Sequence, residues 1–228
     1  MEVSSFLLVG AAALAGGLWG ARRSTRSRQL AYISGYDFHH SIRRKFNDKW
    51  PDLTPTQVDQ VFEGLRQYFR ICHQARRRCV AMPSLIVDDA WHAFILFTRT
   101  YKAFCDRALG RFLHHTPAEA MRSATDAQDG IKRAWRLACA DEGQHPARPT
   151  RLPLLFAIDG VLDVPYGYKY SLNCGLGSAR TASDAYCAGH IGCASGCAGD
   201  AGVAAAGGGC IGGGSGADSG CSGGCGGD

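Results

Sequence analysis

Between Leu30 and Ala140 apolar residues recur at alternating steps of three and four, the period of amphipathic helices. The first such stretch is Leu30 to Trp50, with Tyr32, Ile33, Tyr36, Phe38, Ile42 and Phe46 as its apolar positions and Pro51 as its end. Thr54 then reads as an N-cap and Pro55 as a first-turn proline. Behind them, Val58, Val61, Phe62, Leu65, Tyr68, Phe69 and Cys72 form one face of a second helix. Arg76, Arg77 and Arg78 stand at its negative C-terminal end, where a solvated cationic cluster is expected. A third and central helix is predicted from the cap Ser84 to the stop Gly110. Its core stripe is Val87, Trp91, Phe94, Thr98, Tyr101, Cys105 and Ala108, which makes Cys105 a buried small hydrophobe. A fourth helix runs from Pro117 to about Ala140, opened by Thr116, Pro117 and Glu119. The short apolar run from Leu152 to Ile158 should dock on the others, and Asp163 onward reads as turns. The expected fold is all-α, a small bundle of about four helices over residues 29–173.

The two ends break this periodicity. Ser5 to Ala21 is an uncharged run of about 17 residues, at the short end of what crosses a bilayer. Positive charge follows it as Arg22, Arg23, Arg26 and Arg28, rather than preceding it as in a signal peptide. Residues 1–28 are therefore expected to be a single N-terminal transmembrane helix with a basic flank. By the positive-inside rule the chain would be single-pass in the inner (cytoplasmic) membrane, its domain and tail facing the cytoplasm. Residues 174–228 hold most of the 30 glycines and seven of the 11 cysteines, so a disordered Gly/Cys-rich tail is expected. The net charge of +5 is modest and the arginines lie in short clusters, so a nucleic-acid partner is not expected.

Candidate chemistry falls in two places. Asp88 and His92 are four apart on one helix and face the same way, so the carboxylate can orient the imidazole or share an ion with it. His114 and His115 follow Gly110 closely, and a chain folding back there would bring one of them toward His92 and leave the other pointing away. The set Asp88, His92, His114 and His115 is a candidate site for zinc or another divalent metal. Its bland alternative is a capping aspartate beside a structural histidine that supports the turn. In the tail, His190 with the pairs Cys193–Cys197 and Cys221–Cys225 is a second arrangement that could gather a soft metal. No P-loop, dinucleotide fingerprint or nucleophile elbow occurs in residues 29–173.

The segment PSLIVDDAWHAFILFTRTYKAFCDRALGRFLHHTP, with LPLLFAIDGVLDVPYG downstream, resembles the bacterial branch of the glycine-rich domain protein-like family. Plant members carry a comparable Asp-x-x-Trp-His segment in a helical N-terminal domain. The family's aspartate, Trp-His and His-His positions fall on Asp88, Trp91, His92, His114 and His115, over a resemblance covering about residues 30–170. It implies a helical fold and no established activity. Two function classes follow from the residues. The favoured one is a membrane-tethered, non-enzymatic module that binds or scaffolds a protein partner, with the tail lending reach. The other is a metal-dependent enzyme holding a divalent ion at Asp88, His92 and one of His114 or His115.

Overall fold

The computed structural model describes residues 2–115, 124–172, 185–187 and 191. Seven helices and two short strands appear among them. They are α1 (Glu2–Ser34), α2 (His40–Asn47), α3 (Pro55–Ala75), α4 (Leu85–Ile95), α5 (Thr98–Leu109), α6 (Ala124–Asp141) and α7 (Leu154–Val161), then β1 (Lys169–Ser171) and β2 (Ala185–Cys187). The expected bundle of about four helices is thus corrected to seven.

The hub is α3. It packs against α1, α4, α6 and α7, and its face from Val58 to Cys72 is buried as the periodicity predicts. Its start is the expected one: the Thr54 side chain accepts from the Gln57 N–H, the Gln57 side chain returns to the Thr54 N–H, and Pro55 takes the first turn. The approach of α4 to this helix is set by Gly64, where an added Cβ would stand 2.9 Å from Val87 Cγ2.

Three departures from the sequence reading concern element boundaries. The helix expected over Leu30–Trp50 is two: α1 ends at Ser34, and the His39 ring accepts from the Ser41 N–H to start α2. The single central helix is also two, α4 and α5, broken at Leu96 and Phe97. Phe97 has ψ 61°, outside the helical region, so the chain turns there. The stripe survives the break, since Val87, Trp91, Phe94, Tyr101, Cys105 and Ala108 are all buried, and only Thr98, at the first turn of α5, is exposed. The run Leu154–Val161 is a helix in its own right, its first N–H groups taken by Glu142 and Gln67. The predicted cap at Thr116–Glu119 lies outside the described residues.

The expected transmembrane helix is corrected as well. Among the described residues no helix is long and apolar enough to cross a membrane. The apolar run is short and interrupted by Gly10, Gly16, Gly17 and Gly20. Moreover, α1 continues unbroken through Arg22, Arg23, Arg26 and Arg28 and then docks on α3 and α5, burying Ile33. The last turns of the same helix belong to the domain core. The expected tail is also shortened, because Ala185–Cys187 pairs in parallel with Lys169–Ser171, Tyr170 opposite Tyr186.

One buried carboxylate joins the two halves of the fold. Asp159 on α7 accepts from the Ser84 hydroxyl at 2.6 Å, from the Leu85 N–H at 2.7 Å and from the Ile86 N–H at 3.3 Å. It also accepts from the Tyr168 N–H at 2.9 Å. A carboxylate at a helix N-terminus gains from the dipole as well as from the bonds. Gly167 makes room for it: a Cβ there would come within 2.9 Å of Asp159 Cβ. Asp159→Ala should therefore lower the unfolding free energy by about 3 kcal/mol or more, since it orphans several buried donors. Urea denaturation followed by circular dichroism checks this, and a loss below about 1 kcal/mol contradicts it.

Candidate functional site

The first turns of α4 are fixed by Asp159, and this places the next residues of the helix along one edge of a cavity of about 440 Å³. Asp88 and His92, one turn apart, face that edge, with His92 Nδ1 3.6 Å from Asp88 Oδ2. His115 comes from the segment after α5 and sets its Nε2 2.8 Å from Asp88 Oδ1. The two imidazoles lie with ring centroids 4.3 Å apart. One ligand atom from each of Asp88, His92 and His115 can be chosen so that all lie within 4.8 Å of one another. The aspartate and His115 are three-quarters or more buried, whereas His92 is half exposed.

A chain of hydrogen bonds holds the His115 segment in place. The Trp91 indole N–H donates to the Tyr101 hydroxyl at 3.1 Å, and that hydroxyl donates to the Leu113 carbonyl at 2.5 Å. Trp91 also stacks on His115 with centroids 4.6 Å apart. Burial, reinforced by the neighbouring Cys105, pushes the Tyr101 phenol far above its usual value, so it stays a donor. The aspartate next along α4, Asp89, does not line the cavity, although its Oδ1 lies 3.9 Å from His92 Nδ1. It accepts from Lys49 Nζ at 2.6 Å and from the Trp50 indole at 3.0 Å, tying the end of α2 to α4.

Of the residues singled out in the sequence, Asp88, His92 and His115 are brought together. His114 lines the same cavity but is outside that set: its ring is exposed and packs on Phe112 at 4.7 Å. Cys105 lies in the core, its thiol pushed up by burial. His190, Cys193, Cys197, Cys221 and Cys225 lie outside the described residues. Sequence reasoning missed Tyr101 as the support of the turn and Asp89 as a structural anchor. A tyrosine on an apolar stripe signals only burial, and two adjacent aspartates at a helix start look alike until the neighbouring helix is known. Cys72, in the cavity wall, is buried, and burial raises its thiol to about 12. It is protonated at neutral pH and no nucleophile.

Tyr101→Phe should cost about 1–3 kcal/mol, because it leaves the Trp91 N–H and the Leu113 carbonyl without their partner. Chemical denaturation measures the loss. A change of a few tenths of a kcal/mol would mean that the turn is held by packing alone.

Comparison with known proteins corrects the family resemblance. The family model that matches is that of the UCP032817-like proteins, an uncharacterised family and not a glycine-rich domain family, over residues 28–191. The Asp-x-x-Trp-His segment is short, and a glycine-rich tail is compositionally cheap, so together they pointed to the wrong family. No curated protein and no solved structure matches the chain. The matched span takes in the last turns of α1 and every later helix, and the chain belongs to the UCP032817-like family.

Proposed function

We propose that the protein binds one divalent transition-metal ion through Asp88, His92 and His115, and uses it to hold and polarise a small ligand in the adjoining cavity. The observation that carries this reading is the convergence of one carboxylate and two imidazoles, from two separate chain segments, within 4.8 Å. An ion with ligands at about 2.0–2.2 Å in tetrahedral geometry separates them by roughly 3.3–3.5 Å. The contacts of 2.8 Å and 3.6 Å, each to a different oxygen of Asp88, lie on either side of that, so the side chains would shift to take up an ion.

Three protein ligands leave a coordination position open, the arrangement of reactive rather than purely structural metal sites. Imidazole and carboxylate together suit zinc and the later first-row metals. The half-exposed His92 gives a route for the ion, and the cavity beside it gives room for what the ion would hold. His114 has no part in this set. The reading is preferred over the scaffolding module because a defined cavity with convergent polar groups supports it. Among the described residues no comparable observation singles out a surface for a protein partner.

The test is zinc and cobalt(II) titration of the EDTA-treated full chain, followed by calorimetry and melting temperature. Asp88→Asn and His115→Gln should each remove one ion per chain from the stoichiometry, or weaken that ion at least about tenfold, and abolish its share of the thermal stabilisation. Equal stoichiometry and affinity in the parent and both variants would contradict the proposal. His114→Gln should change nothing in either readout.

A further inference from the structure

A second cavity, of about 280 Å³, opens on the far side of Cys72, Arg77 and Arg111, which line both. Its remaining walls come from α1 (Arg26 and Gln29), from the end of α3 (His73 and Arg76) and from the end of α5 (Leu109 and Gly110). Four arginines therefore contribute to the lining of one pocket. Among the described residues no aspartate or glutamate lines it.

An ordinary reading makes these arginines the counterweight of two helix C-termini. That accounts for one of them, because Arg111 donates to the Arg76 carbonyl. The others exceed what the helix ends need. Further, Arg76 has φ 59°, a conformation that side chains other than glycine adopt at a cost, and it sits on the wall of this space.

His73, on the same wall, carries a polar atom that its surroundings leave unexplained. Its Nε2 is 3.0 Å from Gln29 Oε1, while its Nδ1 is buried and has no hydrogen-bond partner among the described residues. A buried polar atom without a partner is rare and calls for an explanation. Burial first, then the positive charges of Arg26 and Arg111, lowers the affinity of the ring for a proton. An anion among the arginines would reverse the second effect. It would raise the affinity of the ring for a proton.

We propose that the pocket formed by Arg26, His73, Arg76, Arg77 and Arg111 binds a phosphate group. A dianion matches several guanidinium groups better than a single carboxylate does, and the forked donors of arginine fit phosphate oxygens in pairs. The volume leaves room for a phosphate group and for a small organic part joined to it. The inference goes beyond the metal reading and does not need it.

The experiment is calorimetric titration of the EDTA-treated full chain with inorganic phosphate and with glycerol 3-phosphate, acetate serving as the monovalent control. Saturable phosphate binding is expected, with acetate at least about tenfold weaker. Arg26→Gln and Arg77→Gln should each weaken phosphate binding about fivefold or more. Arg44→Gln, which removes an equal charge from the exposed face of α2, should leave it within about twofold. Tighter binding of glycerol 3-phosphate assigns an organic phosphate to the pocket, and equal or tighter binding of inorganic phosphate assigns the free anion. No saturation up to about 10 mM overturns the proposal, as does an equal loss in all three variants or a loss in none.

Discussion

The carboxylate of Asp159 lies between α7, the start of α4 and the turn before β1, and four groups donate to it at once. Apolar packing brings these elements together but would tolerate small slides and rotations among them. Directed bonds to one buried anion do not. They fix the height at which α4 begins, and with it the direction in which Asp88 and His92 point. The same residue caps the helix that carries the candidate site and anchors the chain that leads to the strand pair.

The site is thus assembled by two different kinds of constraint. On the α4 side the helix itself spaces Asp88 and His92, and its start is held by Asp159. On the other side His115 belongs to an irregular segment, which no helical period positions. There the relay from Trp91 through Tyr101 to the Leu113 carbonyl does that work, and the indole of Trp91 supplies the surface on which His115 rests. Trp91 and Tyr101 are in the core, so the position of this loop is set by buried residues.

Much of this was legible in the residues. Thr54 with Pro55 and Ser84 gave helix starts that hold to the residue, because capping depends only on local chemistry. The spacing of Asp88 and His92 had the same local basis. The division of the central helix was not legible: Leu96-Phe97-Thr98 contains no glycine or proline, and the apolar stripe keeps its period across the turn. Asp159 was equally hidden, since one aspartate in an apolar run says nothing about a helix start 75 residues earlier. The N-terminal run was misread because its length and apolarity were judged without the docking surface that α3 and α5 offer to the rest of the same helix. The family was not legible, because a few aspartate, Trp-His and His-His positions beside a glycine-rich tract do not separate one helical domain from another.

The account stands on the identity of the atoms that would surround a bound ion. X-ray absorption at the zinc edge of the full chain, loaded with one equivalent of zinc, reads them directly. The account predicts a first shell of nitrogen and oxygen at about 2.0–2.1 Å, with outer-shell scattering from two imidazole rings and no sulfur. A shell dominated by sulfur at about 2.3 Å would place the ion on the tail cysteines and contradict it.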